Sequence, residues 1–442
     1  MANSNSEKGD NEKMFTYRST SAPIRLDSSM LFAFPVPSLY TSAFSTSPLL
    51  NFHRSSSSED SQEEPFHPTG FLRDMIDGLV KSEDSPKSLL TFHEQSHNVP
   101  EFTPMGIPFY NIPVTYTAND IYTQAFEMAK DQLGCRMLQR KLEEMNPYSI
   151  QTIFEQIKPH LPELMIDPFG NYLIQKLLEV CEEPIFSSTI DSVSKNLTSI
   201  SLNQHGTRAV QKLIDLLANF QQYIPIIINS LIPDILILIK DVNGNHVIQR
   251  CVNSLKCPQN QFIFDIAGNH IVEIATDRHG CCVLQRCIHA ASEKQKEELV
   301  EKIIEKAVEL VQDAYGNYVV QYVIDLNSYS VNAKLAYIFM NSIQQLATQK
   351  FSSNVIEKCL QQNKEDVQQE MIAEIGKVEN ISKMIGNQYA NYVVQRALTL
   401  ARPLALEKML ALIRPKLEEL KNSHFGKKIY MKLLRNYPVL ID

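Results

Sequence analysis

From residue 118 onward, apolar residues recur at three- and four-residue spacing, and the two-residue alternation of a strand is missing. The stretches SIQTIFEQIKPHLPELM (149–165) and KQKEELVEKIIEKAVELVQ (294–312) show the helical pattern plainly. Between such runs a shorter helical pattern returns again and again: DQLGCRMLQRKL, DPFGNYLIQKLL, NQHGTRAVQKLI, DVNGNHVIQRCV, DRHGCCVLQRCI, DAYGNYVVQYVI, QKFSSNVIEKCL and NQYANYVVQRAL. The equivalent long polar residues are Gln139, Gln175, Gln211, Gln249, Gln285, Gln321, Glu357 and Gln395, spaced by 36 residues with 38 occurring twice. Helical units of this length cannot bury their apolar faces alone, so the pattern predicts an all-α protein in which neighbouring units stack as a solenoid. The motif helix then occupies the same place in every unit, and a small rotation per unit makes the shared surface concave.

The motif helix has two unlike halves. In the copy holding Cys281, Cys282 and Gln285, the first and last of these are four apart and share a face, with the middle residue beside them. Val283, Leu284, Cys287 and Ile288 fall on the opposite side, are apolar in the other copies, and are assigned to the core. On the polar side the first and last residues pair as Cys135/Gln139, Asn171/Gln175, Thr207/Gln211, Asn245/Gln249, Cys281/Gln285, Asn317/Gln321, Ser353/Glu357 and Asn391/Gln395. Residues chosen only for packing would not combine an almost constant Gln with a choice between Asn and a small residue. The middle positions are Arg136, Tyr172, Arg208, His246, Cys282, Tyr318, Asn354 and Tyr392.

These motifs resemble those of the Pumilio family of RNA-binding proteins, across roughly 118–437. The resemblance implies a right-handed α-solenoid superhelix of eight three-helix repeats with flanking partial repeats, each repeat reading one base with two or three side chains. HGTRAVQKLI and RHGCCVLQRC look most like the fungal subfamily that reads sites one base longer than eight. In the family Asn/Gln reads uracil, Cys/Gln adenine and Ser/Glu guanine, and the last repeat reads the first base. The implied site is 5′-UGUAUAUA-3′, or one of that type with an extra unread base before the 3′ UA, with Thr207/Gln211 departing slightly from the usual adenine pair.

Side-chain chemistry agrees with those assignments. A Gln amide offers both donors and an acceptor, matching the mixed edges of uracil and adenine, whereas an ionised Glu only accepts and suits the two adjacent N–H donors of guanine. The aromatic and Arg middle residues suit sandwiching of splayed bases, at about 1–3 kcal/mol per base. Cys282 and Asn354 are poorer platforms, so the RNA path is expected to be irregular near Cys282. Directly after the Gln or Glu stand Arg140, Lys176, Lys212, Arg250, Arg286, Lys358 and Arg396, with Tyr322 as the exception. This stripe reads as a track for the RNA backbone, or more plainly as a solvated helix face.

Charge and composition divide the chain. The formal net charge is -8. The first 117 residues hold 8 Lys and Arg against 14 Asp and Glu, leaving a nearly neutral 34 against 36 in the remainder. Residues 1–117 are rich in Ser, Thr and Pro and read as disordered, 118–437 as the folded domain and 438–442 as a tail. RSTSAP (18–23) resembles a site for 14-3-3 proteins at phosphorylated Ser21, and FLRDMIDGLV (71–80) has the spacing of a short docking helix. No run of 18 apolar residues and no signal peptide is found, so the expectation is a cytoplasmic monomer with no membrane association.

No phosphate-cradling Gly loop, nucleophile elbow or metalloprotease motif is present, so no enzyme activity and no cofactor are expected. His279, Cys281, Cys282, Cys287 and His289 crowd like zinc ligands, yet Cys287 lies in register with Leu177, Cys251 and Cys359 at a core position, so no metal is expected. Eight cysteines in a long chain of this kind give no reason to expect disulfides. The family resemblance implies binding to messenger RNA 3′ untranslated regions and recruitment of deadenylase or translational repressor proteins. Partners in the family often use the outer face and the loop between the last two repeats, here within 361–370. The competing reading is a protein-binding solenoid of the HEAT or armadillo type, which predicts no alternation at the paired positions.

Overall fold

The computed structural model describes residues 116–437, and both the Ser21 and the 71–80 readings lie outside them. Among the described residues all regular structure is helical. A typical repeat, the second, has a long first helix Pro147–Ile157, a short second helix Leu161–Ile166 and the motif helix Gly170–Val180. The other motif helices are Gln132–Glu143, Gly206–Leu216, Gly244–Ser254, Gly280–Ala290, Gly316–Asp325, Ser352–Gln362 and Ala390–Leu400. Each packs against its neighbouring motif helices, which builds the solenoid. At the N-terminal side Tyr116 packs on the core, and the Thr117 hydroxyl donates to Asp120 Oδ2 at 2.8 Å.

The motif helix starts where it does for a local reason. Asp167 Oδ1 accepts from the backbone N–H groups of Phe169 and Gly170, both at 2.8 Å, satisfying donors that a helix start leaves unpaired. Asp131, Asn203, Asp241, Asp277, Asp313 and Asn387 do the same in their repeats. Except in the eighth repeat, where Ala390 stands, a Gly follows and close packing selects it. A Cβ at Gly206 or Gly280 would stand 2.3 Å from the carbonyl oxygen of Ile200 or Ile274 in the short second helix.

The seventh repeat solves the same problem differently. It has Gln349 at the cap position and Ser352 in place of Gly, and the Ser352 hydroxyl donates to the Leu346 carbonyl at 2.6 Å. What would be a clash in a Gly repeat is here a buried hydrogen bond.

Burial follows the helical period. Leu173, Ile174, Leu177 and Leu178 are each at most 1% exposed, and the assigned core set Val283, Leu284, Cys287 and Ile288 likewise. Each such side chain contributes about 1.5–3 kcal/mol of burial free energy. Gly268 and Asn269, which imitate the motif, end the first helix Gln261–Asn269 of the fifth repeat.

One stretch, Gln221–Lys240, has a mean hydropathy of 1.8 over its most apolar window, high enough to pass as a membrane span by length and composition. Here Pro225 and Pro233 sit at helix starts, and the stretch is broken into Ile224–Leu231 and Ile235–Lys240 with short 3-10 turns. Ile224, Ile227, Leu231, Ile235, Leu238 and Ile239 are its core residues.

Beyond the eighth motif three further helices flank the repeats. Helices Pro403–Ile413, Leu417–Asn422 and Gly426–Asn436 form a complete ninth trio. Met431 stands where the Gln would be, 36 residues after Gln395, and is 54% exposed. The link between the seventh and eighth repeats is short, only Asn363 and Lys364 separating Ser352–Gln362 from Glu365–Ile375. Asn363 Nδ2 ties it down by donating to the Cys359 carbonyl at 2.9 Å.

Candidate nucleic-acid interface

The first residue of every pair is nearly buried, from 1% exposed at Asn171 and Asn391 to 5% at Thr207 and Cys281. The four Asn side chains are held alike. Asn317 Nδ2 donates to the Asp313 and Ala314 carbonyls at 2.9 and 3.0 Å, and its Oδ1 accepts from Gln321 Nε2 at 2.8 Å. Asn171, Asn245 and Asn391 repeat this geometry with Gln175, Gln249 and Gln395. The Asn amide is thus saturated and its carbonyl oxygen orients the Gln. One Nε2 hydrogen and the Oε1 acceptor of the Gln are left for a ligand.

With a small first residue the Gln is oriented the same way. Gln139 Nε2 donates to Cys135 Sγ at 3.0 Å, and Gln211 Nε2 to Thr207 Oγ1 at 3.2 Å. These small residues in turn donate to the next repeat, Cys135 Sγ to the Phe169 carbonyl at 3.2 Å and Thr207 Oγ1 to the Asn243 carbonyl at 3.0 Å. Cys281 and Ser353 bond to the turn just before their own helices, at the Arg278 and Lys350 carbonyls, both at 3.3 Å. Because the amide points one way in all six of these pairs, orientation alone does not separate the Asn repeats from the others. The difference is volume: Asn fills space that Cys, Thr or Ser leaves open.

Among the middle residues Arg136, Tyr172, Arg208, His246, Asn354 and Tyr392 are exposed, and Cys282 and Tyr318 are half-buried. Arg208 Nη1 donates to the Tyr172 hydroxyl at 3.2 Å, so platforms of adjacent repeats touch. Lys428 of the ninth trio bonds the Tyr392 hydroxyl and lies 4.7 Å from its ring centroid. Sequence reasoning missed Lys428, although it stands 36 residues after Tyr392 and the period alone would have found it.

In the fifth repeat the two sulfur atoms of Cys281 and Cys282 are 4.0 Å apart. A hydrogen bond from Cys281 holds the Cys282 thiol below its ordinary range, against the effect of burial. Burial pushes Cys251, Cys287 and Cys359 up to about 12, as expected of core fillers.

The basic stripe is engaged between repeats. Lys176 pairs with Glu143 at 3.3 Å, Lys212 with Glu179 at 2.9 Å, Arg250 with Asp215 at 3.3 Å, and Lys358 with Asp325. In each case the acid stands four residues after the Gln of the preceding repeat. Burial works against ionisation of Glu179, but hydrogen bonds from Lys212 and Lys176 outweigh it and hold its carboxyl below the usual range. Arg286 faces a position occupied by Asn253 and has no such acid in register. Arg396 departs from the rule and binds Glu357 itself, with Nε and Nη2 both on Oε1 at 3.2 and 2.9 Å.

A helical solenoid that presents an equivalent polar pair on every repeat is a modular binding protein. The Pumilio-family RNA binding repeat matches at 124–158, 160–193, 196–227, 234–266, 270–304, 306–330, 342–375 and 380–413, and the chain belongs to that family, whose members are RNA-binding repeat proteins and not enzymes. A Pumilio domain-containing protein of Schizosaccharomyces pombe is 44% identical over 309 residues, covering 70% of this chain and 45% of the relative. Pumilio homolog 9 of Arabidopsis thaliana is 42% identical over 317 residues, covering 71% and 56%. The chain spans about half the length of the curated relatives it matches. Among solved structures, the Puf4 RNA-binding domain bound to an HO endonuclease RNA 3′ UTR recognition sequence has a TM-score of 0.64 and 38% identity, covering 71% of this chain and 99% of that one. The RNA-binding domain of yeast Puf5p bound to SMX2 RNA gives 0.64 and 31%, covering 72% and 97%.

Proposed function

We propose that the chain binds single-stranded RNA containing UGUA, close to 5′-UGUAUAUA-3′, with one repeat per base and the eighth repeat on the first base. The observation that carries this reading is the set of six oriented Gln amides, each with one donor and one acceptor left for a base edge, in a row where Glu357 alone replaces Gln. Four Asn-filled and four small-residue positions alternate along the surface, as a purine and pyrimidine sequence would require. A variant of the site has one extra unread base before the 3′ UA, as the resemblance of HGTRAVQKLI and RHGCCVLQRC to the fungal subfamily implies.

Messenger RNA 3′ untranslated regions are the proposed targets, supported by the 3′ UTR sequences bound by the Puf4 domain. Repression or decay of the message in the cytoplasm, through deadenylase or translational repressor proteins, is the proposed consequence. The test is a gel shift with a UGUA-containing oligonucleotide and its ACUA counterpart. Binding only the first supports the reading, and equal binding to both sinks it. Glu357→Gln should weaken the UGUA complex by about 1–3 kcal/mol and relax preference at the second base alone.

A further inference from the structure

We propose that Arg396 is a positioning residue for the guanine-reading carboxylate of Glu357, and that a gap at Gln361 in the inter-repeat ion-pair ladder places it there. In four earlier pairs the basic residue after the Gln of one repeat meets an acid four residues after the Gln of the repeat before it: Lys176 with Glu143, Lys212 with Glu179, Arg250 with Asp215, Lys358 with Asp325. Arg396 stands at the same position of the eighth repeat, but the residue four after Glu357 is Gln361, which is uncharged and exposed. Without that acid the guanidinium turns to the nearest carboxylate on the same helix, Glu357. The ninth trio keeps the ladder geometry, since Lys432 Nζ donates to Thr399 Oγ1 at 2.6 Å, four residues after Gln395. Arg286 also lacks an acid in register, with Asn253 at that position, but the base-edge residue of the repeat before it is Gln249, so only Arg396 combines a missing ladder acid with a base-edge carboxylate to turn to.

The contact has the form a positioning residue needs. Both guanidinium N–H groups end on Oε1, at 3.2 and 2.9 Å, and among the described residues no hydrogen bond reaches Oε2. One oxygen is anchored with both its lone pairs engaged, and the other remains open with two. A guanine presents two neighbouring N–H donors to a carboxylate held this way, whereas adenine presents an acceptor against it. Unanchored, the Glu357 side chain would have to be ordered when RNA arrives, and ordering one such side chain corresponds to a loss of about two- to tenfold in affinity. Because adenine gains nothing from the ordered carboxylate, that loss falls on guanine discrimination. The inference rests on Glu357 being the guanine reader.

The experiment measures affinity of the full chain for two oligonucleotides, UGUAUAUA and the same sequence with adenine at the second base. Four proteins are compared: the unaltered chain, Glu357→Gln, Arg396→Ala and Gln361→Glu. Gln361→Glu supplies the missing ladder acid at an exposed position, draws Arg396 away from Glu357, and leaves both reading residues and the fold in place. The expected result is that Arg396→Ala and Gln361→Glu each lower the guanine-over-adenine ratio by about two- to tenfold. Discrimination at the third base should not change in either. An unaltered ratio in both variants overturns the inference while leaving Glu357 as reader. A uniform fall on both oligonucleotides for Arg396→Ala, with the ratio kept, overturns it in favour of a phosphate contact. Absence of guanine preference in the unaltered chain, or its survival in Glu357→Gln, removes the reading itself and the inference with it.

Discussion

Replacing Asn317 by Ala tests whether the buried Asn residues set both the fold and the readout. The side chain is 2% exposed and makes three hydrogen bonds of 2.8–3.0 Å, to the Asp313 and Ala314 carbonyls and from Gln321. At about 0.5–1.5 kcal/mol each, less a few tenths regained from the better helix propensity of Ala, the expected destabilisation is about 1–4 kcal/mol. Urea unfolding of the full chain reads this directly. For RNA, the mutation frees the Gln321 amide to turn over and vacates the volume that excludes a purine. The preference for uracil over adenine at the third base should then fall about tenfold, or about 1.4 kcal/mol, as measured by fluorescence anisotropy with the two oligonucleotides. Discrimination at the first base, governed by Asn391 and Gln395, is the internal control. A variant that loses stability but keeps its third-base preference would refute the argument that Asn volume and Gln orientation select the base.

The remaining expectations concern packing, thiols and charge. Gly206→Ala puts a Cβ 2.3 Å from the Ile200 carbonyl and should cost about 1–3 kcal/mol in denaturant unfolding; a neutral result would show that the short second helix yields freely. In a Cys257→Ser protein, maleimide should label Cys282 ahead of the buried Cys251, Cys287 and Cys359, with a rate that rises between about pH 6 and 8 as the thiolate forms and that bound RNA suppresses. Mass spectrometry finding Cys287 modified first would contradict the burial pattern. Lys212→Ala should cost at most about 1 kcal/mol of stability, since its pair with Glu179 is partly exposed. It should also change the salt dependence of RNA affinity by well under the unit expected for a lost phosphate contact, and a full unit would restore the stripe as a backbone track.

Much of this molecule could be read from its sequence because its repeats are imposed by chemistry at fixed helix positions. The core set around Val283 and Leu284 and the paired positions around each Gln are fixed by helical period, which needs no knowledge of neighbours. What escaped notice depends on how repeats stack. The ladder joins Lys212 to Glu179 across 33 residues, and its acids look like ordinary surface residues until the offset between repeats is known. Ser352 looks like a lapse from Gly until the second helix is seen close enough for its hydroxyl to reach the Leu346 carbonyl. The ninth trio was expected only as a flanking partial repeat because Met431 breaks the polar signature, although its apolar side, with Ile429 and Leu433 buried, keeps the pattern.

The ladder bears on how a folded part with 34 basic and 36 acidic residues could select RNA at all. An uncompensated basic groove attracts any polyanion, and the affinity it supplies carries no sequence information. Here the stripe beside the reading surface is largely matched, cation to acid, between successive repeats. Each pair adds little stability by itself, but a stripe with the period of one repeat pairs only when neighbours stack in register. The arrangement thus spends its charge on alignment and leaves the adjacent surface to directional hydrogen bonds from the Gln amides. Under the proposed function this favours sequence readout over general attraction. Glu357 is the one point where the two systems meet, an acid of the reading surface held by a cation of the ladder.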